Sequence, residues 1–242
     1  YFTRNNYTRK KLGKSEQDVV NLKLMEATLK DTSWVELKEL PFNSNEYSTG
    51  HPAISKDGNT LYFVSDMPGG LGGTDLYVAR KTNGAWGTPV NTGPVVNTPF
   101  NEMFPTVYKD SLLFFSSEGH SNMGGLDIFR SVLTDGLPGA PENLNFPLNS
   151  SYDDFGIVYN DSATAGYLSS NRKQSTEDNI YTFKRNIIQF TLDGIAVEKN
   201  TQEALAGVLV ELSNVTTGKK ETFLTGPDGK FSFKLDPNSE YK

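Results

Sequence analysis

The 242-residue chain contains no cysteine. A disulfide framework, a zinc–thiolate site and a cysteine nucleophile are therefore excluded, while the redox character of the compartment stays open. Histidine occurs only at His51 and His120, and no zinc-ligand spacing is visible. No apolar run approaches the ~18 residues that a membrane-spanning helix requires. A signal peptide is also missing, but the chain opens inside a strand-like motif, Tyr1-Phe2-Thr3-Arg4-Asn5, and so reads as a piece of something longer. With a formal net charge of −6, the chain lacks the basic face that displaces counterions from phosphates, and no nucleic-acid partner is expected. Its one basic run, Arg9-Lys10-Lys11 with Lys14, reads as a solvated loop.

What the chain does have is turns, aromatics and a repeat. Gly 22 and Pro 12 suit many tight turns, and 12% aromatic residues suit strands. Leu61-Tyr62-Phe63-Val64-Ser65-Asp66 runs through a glycine loop into Gly73-Thr74-Asp75-Leu76-Tyr77, and Leu113 to Glu118 runs through a similar loop into Gly125-Leu126-Asp127-Ile128-Phe129. A third copy reads Gly166 to Asn171, then Asp178-Asn179-Ile180-Tyr181. Asp75, Asp127 and Asn179 recur at a spacing of 52 residues. A period near 50 with several short strands per unit predicts a β-propeller.

Within the clearest unit, Pro52 to Ser55 is an inner strand, Asp57-Gly58 a hairpin turn and Thr60 to Ser65 a second strand apolar enough to be covered on both faces. Asp75 to Ala79 is the third strand, Trp86 with Thr88-Pro89-Val90 marks an outer edge, and Asn97 to Glu102 crosses to the next unit. Residues 1–186 hold between three and four such units, so ring closure is expected to draw on strands from residues N-terminal to this chain or on a shared terminal blade. Because Asp75, Asp127 and Asn179 recur at one structural position, they read as architecture. A carboxylate or amide there accepts backbone N–H groups across the glycine turn, whereas a catalytic acid occurs once and is not replaced by asparagine.

Beyond Arg185 the pattern changes. Strands are expected at 190–197, 205–212 and 221–225, with a fourth starting at Phe231 after the turn Pro227-Asp228-Gly229-Lys230. That is a small set for a sandwich core, and the domain reads as truncated. The junction 184–188 is not rich in glycine or serine and predicts a restricted hinge.

The block His51-Pro52-Ala53-Ile54-Ser55-Lys56-Asp57-Gly58 through Gly72-Gly73-Thr74-Asp75-Leu76-Tyr77 resembles the WD40-like repeat of TolB-type propellers, in the version found in OmpA-family envelope proteins. The tail resembles the carboxypeptidase regulatory-like domain, a transthyretin-like sandwich, through Gly194, Val197, Leu205, Gly207, Val208, Val210, Thr225, Asp228, Gly229, Phe231 and Phe233. The expected fold is accordingly all-β: a propeller of about four or more blades over 1–186, open to truncation, then a truncated regulatory-like sandwich over 187–242. The order of the two is similar to the central part of a periplasmic lipoprotein of the type IX secretion and gliding apparatus. That resemblance implies a non-enzymatic adaptor, periplasmic and outer-membrane associated. It would dock secretion-complex or other envelope proteins, with peptidoglycan bound by a domain outside this chain. No cofactor is implied.

The loop around His120 and Ser121 mimics a nucleophile elbow, but its glycine falls one residue too late. Glu102 and Asp154 occupy equivalent crossover positions, where they could form a glycosidase pair or hold a hard cation, or simply cap turns and face water. Their recurrence favours architecture, and no catalytic or metal residue is assigned. The competing class is a carbohydrate-active or lactonase-like propeller enzyme using acidic loop residues. Candidate partner-contacting residues are Met67, Pro68, Leu71, His120 and Met123 on the two glycine loops, with Glu102 and Asp154 beside them.

Overall fold

The structure, a computed structural model, describes residues 1–8, 11–172, 177–186 and 189–242. Arg9 and Lys10 of the basic run, and Ile187 and Ile188 of the junction, lie outside the described residues. Among the described residues there is no helix, and none long and apolar enough to cross a membrane. The chain divides into two compact units, Tyr1–Arg185 and Asn186–Lys242.

The first unit is built from consecutive antiparallel sheets. β1 (Phe2–Asn5), the small hairpin β2 (Tyr7–Thr8) and β3 (Lys11–Leu12), β4 (Leu22–Lys30) and β5 (Ser33–Glu39) come first, with sheet order β1-β4-β5. β6 (Thr49–Ile54), β7 (Thr60–Ser65), β8 (Asp75–Thr82), β9 (Ala85–Trp86) and β10 (Val90–Asn91) make the second sheet, ordered β10-β8-β7-β6. The third repeats that plan with β11 (Glu102–Tyr108), β12 (Leu112–Ser117), β13 (Asp127–Thr134), β14 (Leu137–Pro138) and β15 (Glu142–Asn143). β16 (Asp154–Tyr159), β17 (Ala165–Ser170) and β18 (Asn179–Lys184) form the fourth. The inner strands β6, β11 and β16 lie side by side, which is a four-blade, propeller-like arrangement.

Each junction between sheets is an apolar layer. Leu24, Leu40 and Phe42 of the first blade pack on Leu61, Phe63 and Tyr77 of the second. The opposite face of that second sheet, Tyr62, Val64, Leu76 and Val78, meets Leu113, Phe115 and Phe129 of the third. Phe114 and Ile128 then meet Ile157 and Leu168 of the fourth. An internal β7 or β12 is thus covered on both sides, which is why its sequence is a continuous apolar run rather than an alternation.

Every inner strand carries a bulge at the same place, between Gly50 and Ala53, Met103 and Thr106, and Phe155 and Val158. The first bulged residue has positive φ in each case: 49° at His51, 54° at Phe104 and 63° at Gly156. The bulge lets the ladder run on past Pro52, so β6 begins at Thr49, earlier than the sequence suggests.

An asparagine latch ties each third strand to its crossover. Asn97 Oδ1 accepts the Leu76 N–H at 2.8 Å while its amide donates to Leu76 O at 3.0 Å. Asn149 does the same to Ile128, at 2.8 and 2.9 Å, and Asn43 to Leu24, at 3.0 and 2.8 Å.

In the second unit β19 (Phe190–Ile195) pairs with β22 (Lys230–Leu235), and β20 (Leu209–Ser213) pairs with β21 (Lys220–Leu224). Two two-stranded ladders do not by themselves define the sandwich expected from the sequence. Thr225 joins loop to loop, its hydroxyl donating to Leu205 O at 2.7 Å and accepting the Val208 N–H at 3.0 Å.

Candidate functional site

The loops joining second to third strands share one end of the blades with the crossovers. Gly73 N–H donates to Phe100 O at 2.8 Å, and the Cα of Gly72 lies so close to Thr98 O and Phe100 O that a Cβ there would stand 2.4 and 2.2 Å from them. Gly124 is pressed the same way against Ser150 O and Tyr152 O. Glycine is required here because backbone passes against backbone, and the loops are fixed as a result.

The aspartates complete that fixation. Asp75 accepts the Leu71 N–H at 2.5 Å, the Gly72 N–H at 3.2 Å and the Asn91 amide at 2.7 Å. Asp127 Oδ2 accepts the Met123 N–H at 2.7 Å and the Asn143 amide at 2.9 Å, while its buried Oδ1 has no partner among the described residues. Asn179 differs. It is exposed, and its amide donates to Glu177 O at 3.1 Å. The outer-strand asparagines Asn91 and Asn143, absent from the expected set, are equally part of this device and are themselves 52 residues apart.

Glu102 and Asp154 are corrected by the structure. They do not face water, since both side chains are fully buried. Glu102 accepts the Thr98 N–H at 2.8 Å and the hydroxyls of Thr98 and Ser117, both at 2.7 Å. Asp154 accepts the Ser150 N–H at 2.6 Å, the Ser150 hydroxyl at 2.7 Å and the guanidinium of Arg172, whose Nε lies 3.2 Å away. Such saturated carboxylates hold the crossover turn in place. Among the described residues no three His, Cys, Asp or Glu side chains gather to hold a metal ion.

The remaining candidates separate by exposure. Pro68, Leu71 and Met123 are exposed on the fixed loops. Met67 is half-buried and packs on the first apolar layer. His120 turns inward, its Nε2 2.7 Å from Val96 O and its ring against Phe115 and Phe129. Phe100, which sequence reasoning passed over, is 57% exposed in the crossover that cradles Gly72 and Gly73, beside Leu71 at 42%. Leu71, Phe100 and Met123 thus place apolar side chains in water on backbone that cannot collapse around them.

Deeper along the inner strands, His51 stacks on Phe104 at 4.3 Å and Phe104 on Phe155 at 4.7 Å, joining three blades. Phe104 N–H donates to His51 Nδ1 at 3.4 Å, and burial holds the imidazole below its usual pKa.

Scans against protein-family models and against curated proteins return no match. Among solved structures, a protein from Agrobacterium tumefaciens assigned provisionally as TolB is similar over 100% of this chain and 90% of its own, with a TM-score of 0.44 and 12% identity. At that level the likeness carries no argument, and the propeller-like reading rests on the ladders and layers above.

Proposed function

We propose that this chain is a non-enzymatic docking module that presents a rigid loop face to a protein partner. The observation that carries the reading is the set of water-exposed apolar side chains, Leu71, Phe100 and Met123, on loops clamped by Asp75, Asp127 and close glycine packing. Exposed apolar groups on preorganised backbone bind with little ordering cost, and aliphatic and thioether groups favour protein over sugar. The repeat's resemblance to envelope propellers supports a periplasmic, outer-membrane-associated adaptor in an OmpA-family protein. The order of the two domains supports placing it in a type IX secretion complex, with the second unit as a regulatory-like sandwich. An acid-based propeller enzyme gains no support from Glu102 and Asp154, whose oxygens are consumed inside the fold.

The test is affinity capture from solubilised envelope with wild-type protein and a triple variant, Leu71→Ser, Phe100→Ser and Met123→Ser. Retention of specific envelope proteins by the wild type alone, at equal melting temperature, is the expected result. Equal capture by both would remove the loop face from the function.

A further inference from the structure

The junction of the second and third blades and that of the third and fourth use equivalent positions with different residues. Tyr62 faces Val78 as Phe114 faces Arg130, and Thr60 faces Arg80 as Leu112 faces Val132. Val107 stands as far along β11 from Glu102 as Tyr159 does along β16 from Asp154. At the later junction Tyr159 fills the space, its ring 5.0 Å from Phe114 and 5.0 Å from Phe183. At the earlier one the shorter Val107 leaves a cleft of about 170 Å³, with Tyr62, Val107 and Leu133 as its largely apolar floor. A cavity of about 150 Å³ holds benzene, so this cleft has room for a small ligand. Both of its walls belong to blades that have a neighbour on either side. The turn after β6 closes it, so it lies at the end of the blades opposite the loop face.

Arg80, Asp57 and Asp110 stand around that floor. Among the described residues no ion pair joins Arg80 to either carboxylate, because each is held by other bonds. Arg80 Nη2 donates to Asp135 O. Asp110 Oδ1 accepts the Lys56 N–H at 2.9 Å, and Asp57 accepts the Ser55 hydroxyl and the Asn59 N–H at 2.5 and 3.0 Å. The Tyr62 hydroxyl donates to Gly136 O at 2.8 Å. The bonds from Arg80, Lys56 and Tyr62 all cross from the second blade to the third, so the cleft keeps its width while they last. Burial raises the Tyr62 phenol to about 12, while Arg80 pulls that value down and Asp110 pushes it up. Both charges therefore act on the floor of the cleft. Holding a cation and an anion apart forgoes their mutual attraction, and a ligand carrying both charges recovers it on each side.

We propose that this cleft binds a small zwitterion, an α-amino acid with a short side chain. Its carboxylate lies on the Arg80 guanidinium and its ammonium on Asp110, with Asp57 adding negative field. Its side chain lies over Val107 and Leu133. The guanidinium–carboxylate pair is charge-assisted and directional, and supplies most of the selectivity. A ligand with one charge satisfies one side and leaves the other unmatched. The later junction, with Tyr159 in the space and Val132 in place of Arg80, offers neither the room nor the cation. The site is distinct from the loop face and does not depend on it.

Calorimetric titration of the full chain with glycine, L-alanine, L-serine and L-valine tests this, with propionate and ethylamine as single-charge controls. At least one amino acid should saturate with a Kd of about 1 mM or tighter, and each control should bind about ten-fold or more weakly. Arg80→Gln and Asp110→Asn should each weaken that amino acid about ten-fold or more. Val107→Tyr copies the filled junction and should abolish binding. Arg80 and Asp110 are exposed, so their variants keep the test valid even if Val107→Tyr strains the fold. The loop-face triple variant should bind as the wild type does. Absence of saturable binding by all four amino acids overturns the proposal. So does a control that binds as tightly as the amino acid, since a single charge would then suffice. Undiminished binding by a folded Val107→Tyr variant also overturns it, because the ligand would sit elsewhere.

Discussion

The two units build very different interiors from short antiparallel strands. In Tyr1–Arg185, Leu61, Phe63, Leu76, Leu113 and Ile128 are all at 0% exposure, in layers between sheets. Among the described residues of Asn186–Lys242 the buried apolar side chains are Leu212 and Phe233, while Leu209 and Leu224 stand 66% and 64% exposed. The cause is how many faces of each ladder are covered. Leu61-Tyr62-Phe63-Val64 lies between two neighbouring sheets and is apolar at every position. Leu209-Val210-Glu211-Leu212 belongs to a two-stranded pair and buries only Leu212. Stability should therefore be concentrated in the first unit, and it should be layered there.

The largest effect should come from cutting a layer. Phe115→Ala removes a ring at 1% exposure from the junction of the second and third blades and should cost about 3–5 kcal/mol. Both tryptophans, Trp34 and Trp86, lie in the first unit, so tryptophan fluorescence in urea reports that unit alone. A loss under about 1 kcal/mol would mean the layer is loosely packed, and the contrast between the units would fail.

Next comes the polar side of the same interior. Arg172→Ala strands the fully buried carboxylate of Asp154 and should cost about 2–4 kcal/mol, with the double change to Arg172→Ala and Asp154→Asn recovering part of it. An effect no larger than that of a surface ion pair, roughly 0–1 kcal/mol, would show that water reaches the crossover.

Much of this architecture is written in the sequence, unevenly. The 52-residue spacing of Asp75 and Asp127 announces the repeat, and the same spacing links Asn91 to Asn143 and Asn97 to Asn149, a signal that acids overshadow because carboxylates suggest chemistry. The burial of Glu102 and Asp154 is not legible. A segment such as Asn97-Thr98-Pro99-Phe100-Asn101-Glu102 reads as solvated until the crossover folds back and Thr98 N–H and Ser117 Oγ converge on the carboxylate. Nor is the rank of β1 within its blade legible. Tyr1-Phe2-Thr3-Arg4-Asn5 declares itself a second strand only through Leu24 and Asn43. In the second unit the alternating strands identify β-structure, but pairing between them depends on loops whose contacts no local pattern encodes.

A smaller effect separates the units by pH. The folded chain disfavours the charged form of His51, because burial lowers its pKa and its Nδ1 accepts the Phe104 N–H. Between that lowered value and the ordinary histidine value the unfolded chain binds a proton that the folded chain refuses. The contribution of His51 is complete above a pH of about 6.5 and declines as pH falls toward the folded pKa, by up to about 1.4 kcal/mol for each unit of depression. His51→Phe preserves the stack and, as Phe104 shows, a phenylalanine tolerates that backbone. The variant should show a shallower decline in urea midpoint between pH 7.5 and 5.5. An unchanged slope would place the acid sensitivity elsewhere.

The smallest effect is the sharpest test of the comparison. Leu209 and Leu224 face each other across the β20–β21 ladder, both mostly in water. Replacing both with threonine keeps β-propensity and removes apolar surface that folding does not hide, so the cost should stay within about 1 kcal/mol, the worth of a cross-strand pair. Proton chemical shifts of Phe233, buried in the same unit, would report its unfolding independently of tryptophan. A cost above about 2 kcal/mol could not come from a pair alone. It would mean that this face is covered in solution, as the second layer of a regulatory-like sandwich or a bound partner would cover it. The second unit would then owe its stability to the same device as the first, a ladder with both faces covered.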